Sequence, residues 1–491
     1  MAWRQETNAE KTGQPFLDFR FGFLLKLPIP VRFFGGAGLF CVILDWENEI
    51  MLLGSQRINA HGHLEIGGCD TLDLAREFGT PLYVMDEGVI RDNCRRYKAA
   101  FEARYPKNDI SYASKAYLNM AICKVIESEG LSLDVASAGE LYTAVKAGFP
   151  MGRVLLHGSN KSDAELLMAL EHKVGHVVVD NLFELRRLAA FAKERGQTQK
   201  ILIRVTPGID PHTHRRIRTG QEDTKFGLSA AGGGALEAVT EALGAAPALE
   251  VVGLHCHIGS QLLDTQTHEQ AIDIMVAFLK KVTDATGWTA KVLDIGGGLG
   301  IRYVESQKPP TYEEFAETIV SALKAALAKY EVPEPELWQE PGRTLVGEAG
   351  TTLYTIGVIK KVAIPEAPGS RTYAAIDGGM SDNPRPQLYD AVYEVLVANK
   401  AGEPKTQTVA VAGKHCETDI LIQAAQTQPL ETGDILAVQS TGAYNYAMAS
   451  NYNRFTKPAC VFVQNGYADL VARRETLDDV VRLDIIPERL G

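Results

Sequence analysis

Apolar residues in this chain gather into short runs, with helically patterned stretches between them. From residue 109 onward the β-branched or apolar runs are Ile110–Ser114, Ser132–Ala136, Arg153–His157, His176–Asp180, Ile201–Val205, Val251–His257, Val292–Ile295 and Leu337–Glu340. Between them, segments such as "AELLMALEH" and "FELRRLAAFAKE" repeat apolar residues at helical spacing. Strands alternating with helices in this number predict an α/β fold, a (β/α)8 TIM-like barrel rather than an open doubly wound sheet. One connection is long: Arg204 to Val251 carries "PGIDPHTHRRIRTGQEDTKFGL", too polar for a core and long enough to be a functional loop.

After about residue 345 the pattern changes. "TTLYTIGVIKKVA", "TYAAIDGG", "TVAVAGKHC" and "DILAVQSTGAY" alternate with Gly, Pro and Asp turns, which predicts a C-terminal β-barrel or sandwich domain. The expected organisation is a barrel over 87–343 and a β domain over 344–491, with 51–86 joining the β domain. Residues 1–50 read as a disordered extension matching nothing in the rest of the pattern. Phe33–Leu44 is too short for a membrane span, which needs about 20 apolar residues, and no secretory signal is evident.

Composition narrows the class. The net charge of −11 comes with no basic block, so nucleic acid is a poor partner. Seven cysteines are scattered without CxxC spacing, which argues for reduced thiols in the cytoplasm and against a zinc site or disulfide framework.

Several unusual residues fall at the C-terminal ends of the expected strands: Lys115, His157, Arg204, His257, Gly296–Gly298 and Arg343. In a (β/α)8 barrel that is the face where active sites assemble. Lys115 in "YASKA" is either a surface lysine or an amine used as a nucleophile toward carbonyls, which desolvation would favour. "DIGGGLG" (Asp294–Gly300) is either a tight turn or a backbone cradle for an anion. "GLHCHIGSQ" offers His255 and His257 at i and i+2, a metal pair or a ring that packs flat on a planar ligand, with Ser260 supplying a hydroxyl. "EPGR" sets Glu340 and Arg343 around Pro341-Gly342, an ordinary ion pair on a surface but a ring-nitrogen and anion contact at a barrel mouth. A reactive lysine, an acidic partner for a pyridine nitrogen, a flat stacking ring and a phosphate cradle are together what pyridoxal 5'-phosphate requires.

On these motifs, with "DVASAGEL", "TKFG", "RPQLYDA", "KHCETD" and "GAYNYAM" in the same order, the chain resembles the fold-type III pyridoxal-phosphate decarboxylases, most closely their diaminopimelate-cleaving branch. The resemblance runs from about Met51 to the C-terminus. It implies that Lys115 forms the internal aldimine, that His257 stacks on the pyridine ring, and that Ser260 with the Gly297 and Gly298 amides holds the phosphate. Glu340 would pair with the pyridine nitrogen, with Pro341, Gly342 and Arg343 completing that cofactor contact. Arg343, Arg385 and Tyr389 would bind the distal carboxylate of meso-diaminopimelate, and Glu417 its distal ammonium. Tyr444 would reach the phosphate or the substrate, and Cys416 would be the proton donor. The resemblance also implies a homodimer with shared active sites, since the Cys-Glu pair of the family enters the neighbouring subunit. The product would be L-lysine.

Other enzymes of this fold act on ornithine, lysine or carboxynorspermidine. A diamine precursor without a distal carboxylate would leave Arg343 and Arg385 with nothing to bind, and an unpaired buried guanidinium is costly. A racemase has no use for "EPGR" and the Cys-Glu pair, and an inactive regulatory homologue would have lost cofactor contacts.

Overall fold

The computed structural model describes residues 50–209, 223–365 and 368–491. The expectation for residues 1–49 and the middle of the long polar connection, 210–222, lie outside them. Eight parallel strands close into a ring. Asn108–Ala113 pairs with Ser132–Val135 on one side and with Glu336–Gln339 on the other. His176–Val179 pairs with Gln199–Thr206, which closes the circle.

The local chemistry of each strand–helix unit repeats. Asn119, Ser137, Ser162 and Asn181 each follow a strand and accept a hydrogen bond from a backbone N–H in the first turn of the next helix. Such caps satisfy otherwise orphaned donors, each worth about 1 kcal/mol. Helices therefore start within a few residues of each strand end, and the strand ends stay open at the barrel mouth. Below the mouth the barrel is filled by Leu155, Val178, Leu202, Val252, Val292 and Trp338. Each fully buried aliphatic side chain contributes roughly 1.5–3 kcal/mol, so the lower barrel is a packed core rather than a pore.

The second sheet is built around the long strand Gly350–Ala363. It pairs antiparallel with Ser370–Ile376, with Ile435–Val438 and with Leu82–Asp86. Leu82–Asp86 also lies parallel to Ala459–Gln464, so a strand preceding the barrel in sequence is inserted in the middle of the C-terminal sheet. Two consequences matter for the site. Gly342 leads into the short helix Arg343–Val346, directly between the last barrel strand and Gly350. The helix Arg385–Tyr389 carries a buried arginine toward the barrel mouth.

One shifted strand boundary bears on the site. The run expected over Val251–His257 is a strand over Leu249–His255, so His257 sits beyond the strand end rather than on the same strand face as His255.

Candidate active site

A cavity of about 280 Å³ opens at the C-terminal ends of the barrel strands. Lys115 enters it from the single 3-10 turn Ser114–Ala116 that follows the first barrel strand. Asp134, His157, Arg204, His255 and Glu340 come from or just beyond the ends of five further strands. The β domain closes one side with Arg385, Tyr389 and Tyr444. The residues read from sequence as far apart as Lys115 and Tyr444 therefore share one chamber.

A narrower recess beside it is lined by Ser260, Gly297, Gly298 and Arg343. Arg343 Nε and Nη2 donate to Ser260 Oγ at 3.2 and 3.0 Å, and Nη1 donates to Tyr303 Oη. Its guanidinium lies 4.8 Å from the Tyr444 ring centroid. A guanidinium and a hydroxyl aimed at one recess make a site for an anion. Glycine is required here for close approach: a Cβ on Gly297 would lie 2.2 Å from the Glu340 carbonyl oxygen, and Gly298 has φ +131°. The Gly297 N–H donates to His257 Nδ1 at 3.2 Å, which fixes the edge of that ring. Gly297→Ala is therefore expected to force the Glu340 backbone aside and destabilise the protein by about 1–3 kcal/mol. A thermal melt and a cofactor titration of the variant check this, and an unchanged melting temperature with unchanged affinity would contradict it.

Glu340 does not pair with Arg343, as an isolated "EPGR" turn would suggest. Its carboxylate is buried between two histidines, with Oε2 3.1 Å from His255 Nε2 and Oε1 2.6 Å from His157 Nε2. The second approach is off the hydrogen-bond direction, so Oε1 and His157 Nε2 are both buried without a hydrogen bond. Burial raises the Glu340 carboxyl, but His157 and then His255 outweigh it and hold its pKa well below the usual carboxylate range. Asp294 beside it goes the other way, pushed well up by burial and then by the charge of Glu340.

The sequence argument for Lys115 needs one correction. Desolvation was expected to strip its proton, and burial does act in that direction. Asp134, then Tyr444 and Glu340, outweigh it and leave the pKa raised. The side chain is nonetheless exposed to the cavity rather than packed away. Asp134 itself is raised to about 6, by burial first, with His157 and Lys115 opposing. The cause is local: neighbouring charges act at a few ångströms, and sequence spacing gave no sign that Asp134 stands beside the amine.

Cys416 and Glu417 are not among the residues lining this chamber. Both are exposed on the loop between two strands of the β domain. The loop is braced from within: His415 Nδ1 lies 2.7 Å from Asp419 Oδ2, and Asp419 Oδ1 accepts from Met380 N at 2.8 Å. Tyr452 Oη donates to Glu417 Oε1 at 2.6 Å, and Cys416 N donates to Asn453 Oδ1 at 3.0 Å. Sequence reasoning left out Asp134 and Phe226 and gave His255 no role at Glu340, although "DVASAGEL" contains the first and "GLHCHIGSQ" the last. Their position at strand ends was the available signal. Phe226, beneath the Arg204 guanidinium at 4.5 Å, had none beyond its place in "TKFG".

A barrel with a cavity-facing lysine, a carboxylate held ionised and an anion recess defines an enzyme that works through a bound aldehyde cofactor. The family "Pyridoxal-dependent decarboxylase, pyridoxal binding domain" matches residues 87–347. Diaminopimelate decarboxylase of Bacillus subtilis (strain 168) is 49% identical over 437 residues, covering 89% of this chain and 98% of the relative. That of Synechocystis sp. is 43% identical over 476 residues, covering 95% of this chain and 99% of the relative. The crystal structure of diaminopimelate decarboxylase from M. jannaschii in complex with L-lysine superposes with a TM-score of 0.82 at 35% identity, covering 90% of this chain and 100% of that one. The chain belongs to the pyridoxal-dependent decarboxylase family, and its cofactor is pyridoxal phosphate. The Synechocystis alignment takes in part of the first fifty residues, so the resemblance begins before Met51, which corrects that expectation.

The residues present fit that cofactor. Glu340 lines the cavity, and its Oε1 is a buried acceptor without a hydrogen bond, which fits a ring N–H. The anion recess adjoins the cavity, with Lys115 and His257 lining both spaces.

Proposed function

We propose that this enzyme removes one carboxyl group from meso-2,6-diaminopimelate, giving L-lysine and CO2. The observation that carries this reading is that two buried arginines, Arg343 and Arg385, converge on one cavity with Lys115 and Glu340. Arg343 is taken up by Ser260 on the anion side. Arg385 lies beside Tyr389 and Tyr444, 4.9 and 5.3 Å from their ring centroids, with its Nε buried and without a hydrogen bond. A buried guanidinium with an unsatisfied donor suits a substrate that brings a second carboxylate. Ornithine and lysine bring none. The names of the B. subtilis and Synechocystis relatives and the lysine complex of the M. jannaschii enzyme support the same substrate.

When bound, the cofactor supplies an electron-accepting ring that takes up the electron pair released as CO2 departs. Lys115 Nζ would be the covalent anchor that holds the cofactor in the cavity. His257 would pack against the cofactor and help exclude water from it. Ser260, Gly298 and Arg343 hold the phosphate, Gly297 gives that loop its close approach, and Tyr444 covers the Arg343 guanidinium. Glu340 holds a negative charge at the ring nitrogen. Arg385 and Tyr389 would grip the distal carboxylate and so orient the substrate in the cavity. Glu417 of the partner subunit takes the distal ammonium, and Cys416 of the partner subunit carries on Sγ the proton that replaces the lost carboxyl. That division makes the working unit a homodimer with shared sites, consistent with a loop that presents both residues on the surface of its own chain. Among the described residues no helix is long and apolar enough to cross a membrane; it is the free cysteines among those residues that favour a reducing compartment, and we place the enzyme in the cytoplasm on that ground.

The test is CO2 release from meso-diaminopimelate, ornithine, lysine and carboxynorspermidine by the purified holoenzyme. Preference for meso-diaminopimelate by at least about tenfold in kcat/KM is expected from one charge-assisted contact. Equal or faster release from carboxynorspermidine would sink the substrate assignment while leaving the chemistry intact.

A further inference from the structure

Glu340 has more company than its task at the ring nitrogen demands. His157, at the end of one strand, and His255, at the end of another, meet its two oxygens at 2.6 and 3.1 Å, and both imidazoles are almost fully buried. The two rings stand edge to face, with centroids 5.0 Å apart, so neither can turn away without striking the other. We propose that His157 and His255 are positioning residues that keep the proton shared by Glu340 and the cofactor's ring nitrogen on the nitrogen. This rests on the assignment of Glu340 to that nitrogen.

The physical argument concerns a single proton between two bases in a buried site. With the proton on the ring, nitrogen and carboxylate carry opposite charges; with it on the carboxylate, both are neutral. Burial favours the neutral arrangement, because a low-dielectric surrounding penalises charge. A neutral ring nitrogen is a weaker electron sink, so something must make the carboxylate the poorer base. Hydrogen-bond donors to the carboxylate do this, since they stabilise its charged form. His255 is suited to it: burial pulls its pKa down to about 4, so it is neutral near pH 7. Its Nδ1 has no hydrogen bond, which places the ring proton on Nε2, toward Glu340 Oε2. His157 approaches Oε1 from the side and leaves the hydrogen-bonding direction of that oxygen open for a ring N–H.

The other charged groups facing Glu340 do not replace them. Asp134, 3.7 Å from His157 Nε2, would raise its proton affinity when ionised, whereas Asp294, pushed toward its neutral form by burial and by Glu340, acts in the same sense as His255 and adds to it. Lys115 is committed to the cofactor. Arg204 lies toward Asp180, with Nε 3.9 Å from Oδ1, and over the Phe226 ring. His257 is pulled well below its ordinary pKa by burial, then by Lys115, and its Nδ1 accepts from Gly297.

The experiment uses holoenzyme loaded with pyridoxal phosphate carrying 15N in the ring, read by the nitrogen chemical shift at neutral pH. His255→Leu removes the donor to Oε2 and His157→Leu the imidazole beside Oε1, His157→Gln and His255→Gln keep an N–H, and Glu340→Gln is the control. In the unsubstituted enzyme the shift should be that of a protonated ring. Each Leu variant should move it toward neutral pyridine and lower kcat by about 10- to 100-fold, with KM little changed. The Gln variants should recover part of both. If His255→Leu fails to fold, His255→Asn takes its place, since it cannot reach Glu340 but keeps a polar group. A ring that stays protonated in both His variants while Glu340→Gln deprotonates it would overturn the proposal and spare the Glu340 assignment. A ring still protonated in Glu340→Gln would instead overturn that assignment, and this inference with it. Stoichiometric metal in the unsubstituted holoenzyme, lost from the Leu variants, would also overturn it, because the same three residues bring their ligand atoms within 4.8 Å of one another.

Discussion

Lys115→Ala is expected to abolish turnover and to remove the visible absorbance of the bound cofactor. Lys115 is the lysine among the residues lining both the chamber and its anion recess, so no neighbouring amine can take over the covalent attachment. The fold should survive the change, because the side chain reaches into the cavity and contributes little to the packed core. Retained visible absorbance with covalently bound cofactor would sink the assignment. The same variant tests the shared site. Lys115→Ala subunits keep Cys416, and Cys416→Ala subunits keep Lys115, so one site of each mixed dimer would be intact. In a symmetric dimer, random mixing of equal amounts should restore about a quarter of full activity from two inactive parents. Mixtures that stay inactive after verified subunit exchange would show that each subunit works alone.

Arg385→Ala is expected to lower kcat/KM for meso-diaminopimelate by roughly 10- to 150-fold, the range for losing one charge-assisted hydrogen bond worth about 1.5–3 kcal/mol. The guanidinium is buried against Tyr389 and Tyr444, so water cannot readily substitute for it. Visible absorbance and cofactor affinity should be unchanged, since the contacts on the anion side are made by Arg343 and Ser260. Loss of cofactor together with activity would move Arg385 from the substrate to the cofactor. Arg385→Lys should recover little, because a point-charge ammonium does not reproduce the planar fork.

What could be read from the sequence is what depends on local pattern. The eight apolar runs fall on the barrel strands with shifts of about one or two residues at their ends, because a strand buried on both faces needs an apolar run whatever surrounds it. The chemistry-bearing residues followed from their place at the ends of those runs, since a parallel barrel gathers all such ends on one face. Lys115, His257, Ser260, Glu340, Arg343, Arg385, Tyr389 and Tyr444 do meet at one cavity. Which partner each side chain takes was not legible. "EPGR" left open whether Glu340 faces Arg343 or a ligand; the carboxylate turns to His157 and His255 and the guanidinium to Ser260 and Tyr303. Lys115 was expected to lose its proton to burial, and Asp134 reverses the balance. The strand Leu82–Asp86 sits inside a sheet whose other strands lie hundreds of residues away. Electrostatic and hydrogen-bond energies depend on distances of a few ångströms and on direction. Those distances are set by the closure of the barrel and the docking of the β domain, so only the tertiary structure could decide them.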